Sequence, residues 1–378
     1  MRTWRKKLNQ SLGERIFLSA QKDYLTGDLK RQSRLLTVTY VLAGLVLATP
    51  ILCILAGVAL IWNFFPNLLL MVLAAVFLGI GYKLWPRRER IPAGSLSHND
   101  APAAFAIIDA VGKTLGAPRI DRLVITDEFN AAVGQAQGQN VLEIGAFFWS
   151  ALPDDEKLAL IAHEMAHLVN SDPTRGRFLG AALNTLDGWH ELFSPRRVEN
   201  DYGEVMFGAD RTVIGDLVFG AFQLTIELFW GLMERLSFVP QQRAEYLADA
   251  LAAEVAGKAA PIALLRRSAL VERARIVLGG LGSYNLPKGR DLIDIVAKGT
   301  FEMPEAEREA LLSKMHQQDF SIDETHPPTV YRVKFLELLP IEAPMLHTDE
   351  LDFAAADAEL TPHIAKVGDR IAGRIEVQ

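Results

Sequence analysis

The pentapeptide His163-Glu164-Met165-Ala166-His167 decides how this chain is read. Residues four apart share one face of an α-helix, so on a helix both imidazoles can reach a single metal ion. Glu164 lies about one hundred degrees around that helix from His163. It flanks the ion without ligating it, where a general base for a metal-bound water stands. On an exposed helix the same letters would mean two solvated histidines. The flanks weigh against that. Pro153 fits a first helical position, and Asp154, Asp155 and Glu156 put negative charge against the helix N-terminus. Leu158, Leu160, Ile161, Ala162, Met165, Ala166, Leu168 and Val169 make the helix apolar enough to be buried. Asn170, Ser171, Asp172 and Pro173 end it. A mostly buried helix is a poor place for solvated histidines, which favours the metal.

A catalytic zinc site takes three protein ligands and leaves a fourth position for water. The best source of the third is Arg243-Ala244-Glu245-Tyr246-Leu247-Ala248-Asp249-Ala250. Glu245 and Asp249 are again four apart, with alanines between them that admit a second helix. One carboxylate can bind the metal while the other accepts the N–H of a ligating imidazole and fixes its tautomer. On spacing alone, a solvated Glu/Asp face with Arg243 as partner is the better reading. A third segment, Thr325-His326-Pro327-Pro328-Thr329-Val330-Tyr331-Arg332, combines a His-Pro pair with a following arginine. By itself it could simply start a helix.

Taken in order, the three segments resemble the HtpX-like membrane metalloproteases, which are related to the CAAX prenyl endopeptidases. The resemblance extends over residues 100–340. It implies a zincin-like domain holding one Zn2+ per chain through His163, His167 and Glu245, with Glu164 activating water. It further implies that Asp249 orients a ligating imidazole, that Arg332 buttresses the site and that His326 donates to the tetrahedral oxyanion. The chain departs from the family between His167 and Glu245, where many relatives carry a second pair of membrane spans. Residues 213–238 are the best candidate here, but they contain Asp216, Glu227 and Glu234. A carboxylate near mid-span costs several kcal/mol unless paired or neutralised. This stretch therefore reads as a long helix packed within the protease domain or dipping partly into lipid.

Composition fits a membrane-anchored enzyme. Half of the 378 residues are hydrophobic, and the excess lies near the start. Residues 37–62 carry no charge and are long enough to span; residues 68–85 are nearly so, with only Lys83 near their end. Asn63, Phe64, Phe65, Pro66 and Asn67 allow only a tight turn, so 37–85 reads as a transmembrane hairpin with Trp62 and Trp85 at the interfaces. The first apolar run begins too late and is too long for a cleaved signal peptide. Arg2, Arg5, Lys6, Lys7, Arg15, Lys22, Lys30, Arg31 and Arg34 precede it, the turn carries no charge, and Arg87, Arg88 and Arg90 follow. The positive-inside rule then puts both ends of the hairpin, and the metal site, in the cytosol; the resemblance implies a bacterial inner membrane. Residues 1–36 read as a basic segment that meets anionic headgroups. The one cysteine, Cys53, excludes an intrachain disulfide, and a net charge of −7 argues against nucleic acid as a partner.

The rest reads as mainly α with a small β-sheet, an α+β fold. Residues 92–102 leave the membrane, and 103–115 form a helix stopped by Gly116. Strands follow at 122–126, 131–136 and 141–148, the last two joined by a turn at Gln137-Gly138-Gln139. Zinc endopeptidases commonly hold an extended peptide against an edge strand. Asn130 and Ala131 resemble the family's Asn-Ala there, so Asn130, Ala131, Ala132 and Val133 are the substrate-binding candidates; a plain core strand is the alternative. Residues 194–211 read as a mobile loop or lid, helices follow near 245–255, 262–277, 292–298 and 305–316, and 341–378 is an acidic, weakly periodic tail. The metallopeptidase domain is thus 92–340. The expected activity is zinc-dependent hydrolysis of peptide bonds in membrane or misfolded proteins. Two rivals are a CAAX-type prenyl-protein endopeptidase and a non-catalytic zinc-containing adaptor. Intact Glu164 speaks against the adaptor.

Overall fold

The segments 122–126 and 131–136 each pair with 139–145 to form one small sheet. The protein is described here by a computed structural model over residues 2–27, 34–86, 90–170, 172–193, 197–199, 205–207, 213–281, 286–315 and 326–376. Strand β1 (Arg122–Thr126) runs parallel to β3 (Gln139–Gly145), and β2 (Ala131–Ala136) pairs antiparallel with β3. The order β1-β3-β2 leaves β2 at an edge. Gln137 and Gly138 make the turn, with φ of 51° and 82°, the pair of positive values a two-residue hairpin turn needs. The strand expected over 141–148 ends earlier, at Gly145, and Ala146–Ala151 is helical. The glycine explains the break. A Cβ there would sit 1.9 Å from the Glu128 carbonyl oxygen, while its own N–H donates to Asn130 O at 2.8 Å. The chain turns at this close approach, and Phe147 and Phe148 bury themselves from a helix instead.

The chain divides into two compact units. The first comprises Met1–Arg31, Glu89–Thr174 and Gln241–Gln378. Its core joins the sheet to the helices Pro102–Leu115, Ala146–Ala151, Asp154–Val169, Ala259–Ser268, Val271–Gly280, Gly289–Phe301 and Phe353–Glu376. Pro153 stands just before the metal-bearing helix as its N-cap rather than at its first position. The last helix corrects the reading of 341–378 as a tail. Phe353, Ala356, Leu360, Ile364, Val367 and Ile371 form a buried stripe at helical spacing. Glu359 accepts the backbone N–H groups of Ala103 and Ala104, capping the helix that starts at Pro102. Gly368 lets the backbone approach Gly289, whose carbonyl oxygen would lie 1.9 Å from a Cβ at that position. Two of the charges that made this stretch look like a tail, Asp357 and Glu359, bind neighbouring elements of the core.

The basic N-terminal segment also differs from expectation. Arg2–Leu25 is a helix, and it belongs to the first unit. Gly13, Ile16, Phe17, Ala20 and Asp23 form its buried face.

The second unit comprises Gln32–Arg88 and Arg175–Pro240. Among the described residues, Leu36–Phe64 is the one helix long and apolar enough to cross a membrane. Its partner, Leu68–Lys83, has 16 residues. That is about 24 Å of rise, short of the roughly 30 Å of a hydrocarbon core. The two pack closely: a Cβ at Gly81 would meet Ile54 and one at Gly57 would meet Leu78. Val213–Ala256 is one long helix, so residues 213–238 are helical as expected. Up to Pro240, however, it groups with the apolar hairpin and with Asp172–Phe193, not with the protease unit. Ile226 and Met233 pack with Ala43, Val46, Leu179, Ala182 and Leu186, while Leu224 and Leu228 face outward. Within the expected loop 194–211, β4 (Arg197–Glu199) and β5 (Val205–Phe207) form an antiparallel pair. The rest of that loop, and His316 of the expected 305–316 helix, lie outside the described residues.

Candidate metal centre

The helix Asp154–Val169 brings His163 and His167 to one face, with ring centroids 5.0 Å apart and planes at 90°. Its apolar residues are almost all buried, so the imidazoles face protein rather than bulk water. Glu245, on the long helix, closes the set: its Oε2 is 3.7 Å from His163 Nε2 and its Oε1 is 3.7 Å from His167 Nε2. One ligand atom from each of the three lies within 4.8 Å of the others. Two imidazoles and a carboxylate are a donor set that suits zinc and leaves room for water. Glu245 Oε2 supports the fit. It is buried and meets no hydrogen bond of strict geometry, although His326 Nδ1 at 2.9 Å and Arg332 Nη1 at 3.2 Å both favour its ionised form.

Around these three, the carboxylate and guanidinium partners are tightly arranged. Asp249, one turn after Glu245, has Oδ1 3.2 Å from His163 Nδ1. An Nδ1–H donated there turns the lone pair of Nε2 toward Glu245. Arg332 donates from Nε to Asp249 Oδ2 at 2.7 Å and from Nη2 to Oδ1 at 2.6 Å, a bidentate clamp; Nη2 also lies 3.5 Å from His163 Nε2. Burial pushes the Asp249 and Glu245 carboxyls upward. The Arg332 charge, with His326 and His167 beside Glu245 and His163 beside Asp249, outweighs it and holds both below the usual carboxylate range. The same two carboxylates raise Arg332, against its own burial. Glu164 is different. Burial pushes its carboxyl up, and His163 and His167 only partly offset that. A raised carboxyl pKa makes the ionised carboxylate a stronger proton acceptor, which suits a general base beside the ligands.

The expected site residues therefore meet. His163, Glu164, His167, Glu245, Asp249, His326 and Arg332 form one cluster, although His326 is half-exposed and stands against Glu245. His326-Pro327-Pro328 both meets the site and starts a helix, since Pro328 is the N-cap of the helix Thr329–Leu338 that carries Arg332; Thr325 lies outside the described residues. Asn130 precedes β2 and Ala131 to Val133 begin it; β2 packs against the metal-bearing helix and, among the described residues, has no strand beyond it. Ala132 faces outward, and Ala131 is buried. Sequence reasoning missed the packing behind Glu245 and Arg332. Phe17 of the N-terminal helix touches Tyr246, Tyr331 and Phe335, with centroids 5.9, 6.5 and 6.1 Å away. The spacing of Ile16, Phe17, Ala20 and Asp23 was the available signal.

The sequence profile of peptidase family M48 matches residues 108–339. The chain is 24% identical over 160 residues to Protease HtpX of Actinobacillus pleuropneumoniae, covering 42% of this chain and 54% of that protein. It is 26% identical over 247 residues to a Protease HtpX homolog of Gemmatimonas aurantiaca, covering 64% and 76%. To the Protease HtpX homolog of Bordetella petrii it is 26% identical over 170 residues, covering 44% and 53%. The chain spans about half the length of the first and third of these relatives. No solved structure matches it.

Proposed function

The chain belongs to peptidase family M48, and from that premise we propose that it is a membrane-anchored, zinc-dependent endopeptidase. Its carrying observation is the convergence of His163, His167 and Glu245 within 4.8 Å, with buried Glu164 beside them. Bound there, zinc would supply a water of lowered pKa and a Lewis acid for the scissile carbonyl. Glu164 takes the proton of the attacking water and passes it to the leaving amine. Asp249, held by Arg332, keeps His163 in the tautomer that ligates. His326 donates to the oxyanion of the tetrahedral intermediate. The free edge of β2 accepts an extended peptide through main-chain hydrogen bonds, starting at Asn130, Ala131, Ala132 and Val133. Such recognition tolerates many sequences, which suits exposed or misfolded segments of membrane proteins.

The helix Leu36–Phe64 supports a membrane anchor, and the basic residues flanking an uncharged hairpin turn support a cytosolic, inner-membrane orientation of the site. The protein purified in detergent should hold one zinc per chain and cleave casein. Glu164→Gln should keep the metal and lose cleavage by at least about 10²-fold; Glu245→Ala should lose the metal. Zinc retained by Glu245→Ala would break the ligand assignment. Full cleavage by Glu164→Gln would break the mechanism, and a wild type that binds zinc but cuts nothing would make the protein an adaptor.

A further inference from the structure

The face of the N-terminal helix formed by Ile16, Phe17, Ala20 and Asp23 is buried, although the helix lies far from the metal-bearing segments in sequence. Its contacts are not spread evenly over the unit. Phe17 presents edges to Tyr246, the residue after Glu245, and to Tyr331 and Phe335, which flank Arg332 on its helix. Tyr246 and Phe335 are themselves fully buried, with centroids 5.0 Å apart. The elements that supply the third metal ligand and the guanidinium that clamps Asp249 thus meet on one aromatic ring that belongs to neither. A turn and a half further on, buried Asp23 accepts a hydrogen bond from Arg243 Nε at 2.8 Å, two residues before Glu245. Tyr24 donates to Glu254 Oε1 at 2.6 Å, farther along the same long helix.

These contacts fix more than attachment. Apolar packing alone would let the helix slide, but a buried carboxylate is costly unless paired, so Asp23 and Arg243 set one register. That register puts Phe17 into the notch between Tyr246 and Phe335. We infer that Phe17 and Asp23 are positioning residues for the metal centre: the N-terminal helix holds Glu245 and Arg332 in mutual register, so zinc affinity and turnover depend on it. Neither residue touches the metal-ligating atoms. The inference rests on the metallopeptidase reading above.

The test uses the full-length protein in detergent, comparing wild type, Phe17→Ala, Phe17→Leu and Asp23→Asn. Zinc affinity is measured by chelator competition, folded fraction by thermal melting, and kcat and KM on a casein-derived peptide. Phe17→Ala should weaken zinc binding and lower kcat, each by about 10-fold or more, with KM within about two-fold of wild type. Phe17→Leu should recover most of both. Asp23→Asn, which opens no cavity, should shift them in the same direction. Should Phe17→Ala fail to fold, Asp23→Asn decides alone. The inference is overturned if folded variants keep wild-type zinc affinity and kcat, even where their melting temperature falls. A wild type that binds zinc without cleaving would sink the protease reading but leave the affinity comparison valid.

Discussion

Asp249 ligates nothing in the proposed site, yet it decides which nitrogen of His163 faces Glu245. It can do so because Arg332 holds both of its carboxylate oxygens with two hydrogen bonds, at 2.7 and 2.6 Å. Both partners are buried, so neither can be replaced by water at low cost. Asp249→Asn keeps the shape but offers the imidazole a weaker, neutral acceptor. Zinc affinity should fall about 10- to 100-fold, the range typical when such a partner is lost; chelator competition giving wild-type affinity would contradict the arrangement. At this scale much was legible in advance. His163, Glu164 and His167 lie within one helical turn, so spacing alone defines their faces. Glu245 was not legible in that way, because its spacing to Asp249 fits a solvated face equally well, and only chain closure brings it to 3.7 Å from both imidazoles. Phe17 was hidden by its surroundings. The lysines and arginines around it suggested a lipid surface, and they masked an apolar stripe on the opposite side of the same helix.

Among the elements, the N-terminal helix gives the clearest dependence on pH. Burial, then the hydrogen bond to Glu254 and its negative charge, push the Tyr24 hydroxyl well above its ordinary value. Its proton is therefore held more tightly in the folded chain than in the unfolded one. That contribution to stability is complete below the unfolded value of about 10 and is lost as pH rises beyond it. Thermal melts at pH 9, 10 and 11 should show wild type losing more stability across this range than Tyr24→Phe. Equal losses would mean the tyrosine is not held by Glu254. Tyr24 is only part-buried, so the effect is modest. The hairpin teaches a complementary lesson. Its first helix was readable from an uncharged run of ample length, and the second, which ends at Lys83 after 16 residues, is the shorter arm. The long helix was also foreseen, but not its partner. Pattern could not tell which unit its apolar half would join, because Asp216, Glu227 and Glu234 fit either a protein surface or a charge-bearing helix near lipid.

Across the whole molecule, the metal-bearing helix is anchored by chain that lies far from it in sequence. Lys157, in its first turn, is buried and donates to both carboxylate oxygens of Asp357 at 2.9 and 2.8 Å, while Trp149 Nε1 donates to Oδ1 at 2.7 Å. Glu156 takes a bidentate contact from Arg267 at 2.7 and 2.9 Å. Two distant helices thus grip the start of the segment that presents His163 and His167. Asp357 belongs to the C-terminal helix, whose acidic composition disguised it as a tail. The two descriptions differ in what substitutions cost. In a tail, Leu360→Ala and Glu359→Ala would each change stability by no more than about 0.5 kcal/mol. In the core helix, Leu360 is fully buried beside the helix Pro102–Leu115, and its truncation should cost about 2–5 kcal/mol. Glu359→Ala removes the acceptor for two backbone N–H groups at the start of that helix and should cost about 1 kcal/mol. Denaturant unfolding of both variants measures the difference directly. Because the helix also carries Asp357, the Leu360 variant should release zinc at a lower denaturant concentration than wild type. Zinc release unmoved by a destabilised C-terminal helix would mean that the metal-bearing helix is held without it.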